Sequence, residues 1–260
     1  MVDSTTVFWV TAVAGATTGL GAIPVLARAS ISHRLYDSAM GLAAGMMLSA
    51  VAFALIVPGL EDGTLEAVVG GVLLGVVGLL VANRIVPHVH AEWTNWRGHG
   101  GADPQDADGI DSLRSAILIG SAITLHNAPE GLAIGIAFAA GLEGVGLTLA
   151  IVIGLQNVPD GFAFAVPAGD TGISNAKLLL YTTLSGVVPQ VSAALLGYAL
   201  VDVVEALFPL AAGFAAGAMI AVVFREMIPQ SHGHGYADEA TLAFCFGFVL
   251  ILVVDIVLVV

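Results

Sequence analysis

Residues 144–168 read GVGLTLAIVIGLQNVPDGFAFAVPA, an apolar run in which Asp160 is the only charged side chain. An α-helix needs about 20 apolar residues to cross the hydrocarbon core of a bilayer. A strand of a membrane β-barrel would instead alternate apolar and polar residues over about ten positions. The run shows no such alternation, so it predicts a transmembrane α-helix.

The rest of the chain repeats this pattern. Of its 260 residues, 58% are hydrophobic and only 10% are charged, so polar side chains are too few to cover a water-soluble globule of this size. The apolar runs long enough to span a bilayer are 7–27, 38–60, 67–87, 115–142, 144–168, 178–201, 206–224 and 240–259. We therefore predict an all-α integral membrane protein with eight transmembrane helices, which form a single domain over residues 1–260.

The positions of the basic residues predict how the helices cross the membrane. Lys and Arg close to helix ends stay on the cytoplasmic side. With eight helices and both termini outside, all seven basic residues lie on that side; they are Arg28, Arg34, Arg84, Arg97, Arg114, Lys177 and Arg225. We expect a multi-pass protein of the cell membrane with both termini extracytoplasmic.

One long polar stretch interrupts the apolar runs. Residues 87–111 are rich in Gly, Asp and His and lack an apolar period, which predicts a flexible cytoplasmic loop. Histidine clusters can bind Zn²⁺, although polar loops also contain histidines by chance. The candidate auxiliary metal ligands on the cytoplasmic side are His88, His90, His99, His232 and His234.

Two similar hexapeptides lie in neighbouring spans. Residues 126–131 read His-Asn-Ala-Pro-Glu-Gly, and residues 156–161 read Gln-Asn-Val-Pro-Asp-Gly. Glu130 and Asp160 lie near the middle of their spans, where a charge costs at least about 2.5–3.5 kcal/mol. Each carboxylate follows a potential metal ligand, His126 or Gln156, by four residues. That spacing places each pair on one face of its helix.

The prolines of both hexapeptides free backbone carbonyls and bend their helices. Pro129 and Pro159 cannot donate a backbone hydrogen bond, so they free the carbonyls of Leu125 and Leu155 one turn earlier. If the fourth and fifth helices face each other, one imidazole, two carboxylates and the amides of Asn127, Gln156 and Asn157 surround one small volume. This mixture suits Zn²⁺, Fe²⁺, Mn²⁺ or Cd²⁺ better than Ca²⁺ or Mg²⁺. The alternative is a hydrogen-bonded polar cluster that kinks the helices and locks them together.

A second pair of similar segments, the internal repeat, relates the second and seventh helices. Residues 41–47 read Gly-Leu-Ala-Ala-Gly-Met-Met, and residues 213–219 read Gly-Phe-Ala-Ala-Gly-Ala-Met. These helices run in opposite directions on the predicted topology, which indicates an inverted repeat of the kind found in transporters. Small residues four apart are also typical of close helix packing in general.

The two hexapeptides resemble the signature motifs of helices 4 and 5 in the ZIP (zinc/iron-regulated transporter-like) family, especially its bacterial and archaeal branch. Residues 41–58 and 213–229 are similar to that family's helices 2 and 7, and the histidine-bearing loop after helix 3 is similar too. The resemblance implies a 3+2+3 arrangement, with an inverted repeat of helices 1–3 and 6–8 around helices 4 and 5. It also implies frequent dimerisation and movement of metal toward the cytoplasm.

The same resemblance implies which residues bind metal. The primary site would consist of Met47, His126, Glu130, Gln156 and Asp160. Asn127 and Asn157 would form an adjacent second site that shares Glu130 and Asp160.

The chain departs from the family pattern at two of these positions. Asp160 stands where the family usually has Glu. Helix 6 reads Ser-Gly-Val-Val-Pro-Gln over residues 185–190, where many relatives have a Glu-Pro pair after the two aliphatic residues. The second site therefore lacks a carboxylate, and Gln190 is its candidate neutral ligand.

Glu226 lies beside Arg225 at the cytoplasmic end of the seventh helix. It is either an auxiliary ligand for a metal ion that leaves the site or one member of an interfacial ion pair. The sequence leaves both interpretations open.

Together these features predict a transporter of a divalent transition-metal ion, with Zn²⁺ first and Fe²⁺, Mn²⁺ or Cd²⁺ as alternatives. The ion would enter the cytoplasm by alternating access through a site between helices 4 and 5. The sequence has no Gly-rich nucleotide-binding loop with a Lys, which disfavours ATP as the energy source. We expect the lipid bilayer and a second copy of the chain as partners, with no resident cofactor and no nucleic acid.

Two other functions are compatible with the same helices. An intramembrane metal-dependent hydrolase would need a closed set of ligands that commonly includes two or more histidines. Only His126 lies within a predicted span, so we do not expect an enzyme. A metal channel or sensor would need no further residues and remains an alternative.

Overall fold

The computed structural model describes residues 2–27, 32–97, 126–169, 173–203 and 205–259. Within these ranges the regular elements are all helical. In chain order they are α1 (Ser4–Leu26), α2 (His33–Glu61), α3 (Leu65–Arg97), α4 (residues 126–139), α5 (Glu143–Gly169), α6 (Asn175–Val203), α7 (Phe208–Ser231) and α8 (Ala237–Val259). In the described part of the chain, seven of them are long and apolar enough to cross a membrane. The prediction of an all-α membrane protein is confirmed, and α4 is described only from His126 onward.

Helix α3 extends further than the sequence analysis predicted. It continues past residue 87 to Arg97, so residues 87–97 are helical and are not part of a loop. The helix continues through Pro87, and residues 88–97 contain no glycine that would weaken its extension. The remainder of the predicted loop, with His99, lies outside the described residues.

Helices α2, α3, α7 and α8 pack in two close pairs, α2 along α8 and α3 along α7. Glycines allow both contacts. A Cβ atom at Gly45 would lie 2.0 Å from the carbonyl oxygen of Phe244, and one at Gly217 would lie 2.1 Å from that of Val72. Gly45 and Gly217 are both the fifth residue of the similar segments 41–47 and 213–219. The sequence similarity therefore corresponds to two equivalent helix contacts.

Helices α2 and α7 also share a change of helical form. Each contains a π-helical segment, Val51–Ile56 in α2 and Val223–Met227 in α7. A proline follows each segment, Pro58 in α2 and Pro229 in α7. Proline lacks a backbone N–H and crowds the carbonyl four residues earlier, so the wider turn relieves that crowding. This likeness supports the predicted inverted repeat, and the 3+2+3 arrangement stays a prediction.

Helices α1, α4, α5 and α6 make a second set of close contacts. Helix α1 packs against α5 and α6 and tightens to a 3₁₀ helix over Thr17–Ala22. A Cβ atom at Gly161 on α5 would lie 1.8 Å from the carbonyl oxygen of Thr18. A Cβ atom at Gly131 on α4 would lie 2.0 Å from the carbonyl oxygen of Gln190 on α6. The glycines that end the two hexapeptides therefore bring both motifs against neighbouring backbones.

Small and flexible apolar side chains fill the core. One cluster of buried residues joins α2, α4, α5 and α7. Its members include Ala43, Ala44, Met47, Ala133, Ile134, Ala137, Leu149, Ala215, Ala218 and Met219. Such side chains let the helices approach closely in lipid.

Candidate metal centre

The polar side chains of the two hexapeptides are withdrawn from the surface. The buried polar residues on α4, α5 and α6 are His126, Asn127, Glu130, Thr148, Gln156, Asn157, Asp160, Thr182 and Gln190. A buried polar group is stable only when it is hydrogen-bonded or paired with charge. The partners of each atom therefore show what the cluster can do.

Glu130 lies at the centre of this cluster. Its Oε1 atom accepts a hydrogen bond from Gln156 Nε2 at 2.5 Å, and its Oε2 atom accepts one from Gln190 Nε2 at 2.7 Å. These two bonds connect α4 to α5 and to α6. Asp160 lies close enough to interact with Glu130 electrostatically. The structure thus brings the two hexapeptides together around a pair of carboxylates.

Two buried oxygen atoms of α5 lack a partner within the described ranges. Gln156 Oε1 and Asp160 Oδ2 are buried, and neither has a hydrogen-bond partner among the residues that the structure describes. A buried acceptor without a partner costs about 1–3 kcal/mol, and in a native structure it calls for an explanation. Asp160 also interacts electrostatically with His126. Each of these oxygens is therefore a candidate ligand for a cation.

Both asparagines of the motifs donate to backbone carbonyls of other helices. Asn127 Nδ2 donates to the carbonyl of Ser185 at 3.1 Å, and Asn157 Nδ2 donates to the carbonyl of Ala14 at 2.8 Å. The sequence analysis did not find these two carbonyls, because backbone acceptors carry no residue-specific signal. They hold the two amides in fixed orientations, with their oxygens turned toward Gln190.

His126 is held by a residue from the other set of helices. Its Nε2 atom contacts Oε2 of Glu226 on α7, and Oε1 of Glu226 accepts a hydrogen bond from Asn83 Nδ2 at 2.9 Å. The sequence analysis kept Glu226 as an auxiliary ligand and missed Asn83. Asn83 could have been identified from the sequence, because it is the only amide side chain in the third apolar run.

In the described ranges, no three side chains of His, Cys, Asp or Glu form a group that could hold a metal ion. His126 is engaged by Glu226, while amides hold both oxygens of Glu130. An ion at this place would therefore draw on amide oxygens as well as on charged ligands.

A comparison with known proteins adds to this geometry. The family model described as ZIP Zinc transporter matches residues 98–255, which is more than half of the chain. The chain belongs to the ZIP family. The predicted resemblance is thereby confirmed, and so is the prediction that the chain is not an enzyme.

Named bacterial relatives match this ZIP chain over most of its length. The zinc transporter GufA of Myxococcus xanthus is 39% identical over 251 residues, which are 93% of this chain and 94% of GufA. The zinc transporter ZIPB of Bordetella bronchiseptica is 37% identical over 256 residues, 92% of this chain and 77% of ZIPB. The zinc transporter ZupT of Corynebacterium glutamicum is 29% identical and covers 95% of this chain and 96% of its own length.

The auxiliary histidines of this ZIP chain have other partners. His232 Nδ1 lies 2.9 Å from Ser231 Oγ and 3.0 Å from the carbonyl of Ile228. His234 Nδ1 lies 2.7 Å from Oδ1 of Asp37, a fully buried carboxylate that the sequence analysis missed. The contacts of His232 stay within the end of α7, while that of His234 attaches the following turn to the start of α2, apart from the hexapeptide cluster.

The structure gives the positions of three further predicted ligands, which lie on α2 and α3. Met47 is fully buried in the apolar core, and its part in the metal site stays a prediction. His88 and His90 lie on the helical continuation of α3. Their role as auxiliary ligands also stays a prediction.

Proposed function

We propose that this ZIP-family protein transports a divalent transition-metal ion, with Zn²⁺ as the principal substrate, through the cluster between α4 and α5. The observation that supports this most directly is that two buried oxygens, Gln156 Oε1 and Asp160 Oδ2, have no hydrogen-bond partner among the described residues, while Gln156 also donates to Glu130. A membrane protein does not keep such atoms in its core without a compensating interaction. A cation supplies that interaction.

The charges and ligand types of the cluster fit a transition-metal dication. Glu130 and Asp160 together supply two negative charges, which balance a dication that has lost its water. His126 supplies an imidazole nitrogen, which suits Zn²⁺ and similar metals better than Mg²⁺ or Ca²⁺. The relatives are named zinc transporters, which favours Zn²⁺ over Fe²⁺, Mn²⁺ and Cd²⁺.

Transport requires that the site opens to one side of the membrane at a time. The proposed ligands His126, Glu130 and Asp160 lie on α4 and α5, while Glu226 lies on α7. The contact between His126 and Glu226 therefore ties the two sets of helices together. We propose that His126 leaves Glu226 to bind the ion, and that the small side chains of the core allow one set to move against the other. Glu226 then receives the ion on its way to the cytoplasm.

The same proposal covers orientation and assembly. Both termini lie on the extracytoplasmic side of the cell membrane, in accord with the segregation of the basic residues. The protein moves metal into the cytoplasm. The 3+2+3 arrangement and a homodimer belong to this proposal as well.

The test is uptake of radiolabelled Zn²⁺ into proteoliposomes that contain the wild-type protein or the double variant Glu130→Ala, Asp160→Ala. The matched control is Glu61→Ala, Asp62→Ala, which also removes two carboxylates but at exposed positions at the end of α2. We expect saturable uptake by the wild type and the control and no uptake by the first variant. Competition by Mn²⁺, Fe²⁺ and Cd²⁺ ranks the substrates.

Two outcomes would contradict the proposal. Equal uptake by all three proteins, with the variants folded, would show that Glu130 and Asp160 are structural. Uptake that rises in proportion to the Zn²⁺ gradient without saturation would indicate a channel.

A further inference from the structure

The side-chain nitrogen of Gln190 is surrounded by oxygen atoms of three other residues. Nε2 of Gln190 lies 2.7 Å from Glu130 Oε2, 3.3 Å from Asn127 Oδ1 and 3.4 Å from Asn157 Oδ1. Gln190 and all three of these residues are fully buried. A carboxylate oxygen and two amide oxygens that converge on one point form an oxygen cage, and oxygens of these types can coordinate a cation. Here a neutral amide nitrogen occupies that point.

The neighbours fix the orientation of the Gln190 amide. Asn127 and Asn157 each donate to a backbone carbonyl, which can only accept, so their oxygens must turn toward Gln190. Asn157 Nδ2 also donates to Gln190 Oε1 at 3.3 Å. A rotated Gln190 amide would place its oxygen against the oxygens of Glu130 and both asparagines. The nitrogen is therefore the atom that faces the cage.

The four residues do not fit a second metal ion. The sequence resemblance implies an adjacent second site formed by Asn127 and Asn157 with the shared carboxylates. An amide N–H₂ group donates hydrogen bonds and cannot coordinate a cation. We infer that the Gln190 amide takes the place of the second ion, so that this transporter binds one metal ion where the resemblance implies two. This inference rests on the proposed function, because it concerns the same cluster.

The charge of the cluster is consistent with one ion. Glu130 and Asp160 carry two negative charges, which a single dication neutralises. A third carboxylate at position 190 would leave a buried negative charge, and a second cation would then be needed to compensate it. Gln190 thus acts as a positioning residue that holds Glu130 Oε2 and both asparagine oxygens without adding charge.

The experiment counts the ions bound at the cluster. Purified protein in detergent is equilibrated with Zn²⁺ and desalted, and the zinc-to-protein ratio is measured by elemental analysis. Each ratio is compared with that of the same protein carrying Glu130→Ala and Asp160→Ala, which subtracts ions bound by surface histidines. We expect a difference of one ion for the wild type and two ions for Gln190→Glu. Gln190→Met, which has a similar size and no charge, should not reach two.

The outcomes separate this inference from the proposed function. Two ions in the wild type would overturn the inference and leave the transport site intact. A folded Gln190→Glu protein that still binds one ion would also overturn it. No difference in the wild type would overturn the proposed site and the inference with it. If Gln190→Glu does not fold, the wild-type count decides between one ion and two.

Discussion

His126 on α4 and Glu226 on α7 are in direct contact through His126 Nε2 and Glu226 Oε2. Both side chains are largely buried, with 5% and 13% of their surfaces exposed. The contact joins α4, which carries His126 and Glu130, to α7, which belongs to the other set of helices. It also occupies Nε2, one of the two ring nitrogens through which His126 can bind a metal ion.

Replacement of Glu226 by Gln should therefore tighten binding of Zn²⁺. A hydrogen bond to a charged group contributes about 1.5–3 kcal/mol, and each 1.4 kcal/mol corresponds to a tenfold change in affinity. We expect the dissociation constant of Zn²⁺, measured by calorimetry in detergent, to fall about tenfold in Glu226→Gln. The control is Glu66→Gln, which removes an exposed charge in the first turn of α3 and should leave affinity unchanged. Equal affinity in Glu226→Gln and the wild type would show that this contact does not compete with the metal.

Gln156 should contribute to the same binding step in two ways. Its Oε1 atom has no hydrogen-bond partner in the described part of the chain, and its Nε2 atom donates to Glu130. Gln156→Ala removes both, so we expect the Zn²⁺ concentration for half-maximal uptake into proteoliposomes to rise about tenfold or more. Asn175→Ala, which removes an exposed amide at the start of α6, serves as the control. An unchanged half-saturating concentration would exclude Gln156 from the site.

The glycine contact between α2 and α8 should control stability. A Cβ atom at Gly45 would lie 2.0 Å from the carbonyl oxygen of Phe244, so Gly45→Ala must push the two helices apart. We expect this change to lower the free energy of unfolding by about 1–3 kcal/mol, as overpacking does elsewhere. Gly70→Ala on α3 is the matched control, because a Cβ atom there meets nothing within 4 Å. The control should raise the free energy of unfolding by about 0.5–1 kcal/mol.

Denaturation in detergent, followed by tryptophan fluorescence, measures both glycine variants. The prediction fails if Gly45→Ala and Gly70→Ala change the free energy of unfolding in the same direction.

Asp37 should hold the turn between α7 and α8. Its Oδ1 atom pairs with His234 Nδ1, and its Oδ2 atom accepts from the backbone N–H groups of His234 and Tyr236 at 3.3 and 3.4 Å. Asp37→Ala removes these acceptors, which should lower the free energy of unfolding by about 1–3 kcal/mol. Asp62→Ala removes an exposed carboxylate at the end of α2 and should have little effect.

Thermal unfolding in detergent compares the two aspartate variants. A melting temperature for Asp37→Ala equal to that of Asp62→Ala would contradict the proposed role of Asp37.

The sequence by itself determined that the chain is helical and lies in a membrane. Long apolar runs and their few charges are local properties, and they are sufficient because the bilayer requires backbone hydrogen bonds within each helix. The hexapeptides also marked Glu130 and Asp160, since a charge inside an apolar run is conspicuous in any sequence. The glycines that end these motifs are visible as well, although the backbones that they contact are not.

Tertiary structure alone decided which atoms meet. The carbonyls of Ala14 and Ser185 orient the two asparagines, and every residue has a carbonyl, so no pattern could single out these two. Gln190 was expected as a possible ligand, and only the arrangement around it shows that its nitrogen faces the cage. The contact of His126 with Glu226 joins residues 100 positions apart, and packing of separate helices creates it. Composition and periodicity act over one helix, whereas a site between helices depends on how their faces pack.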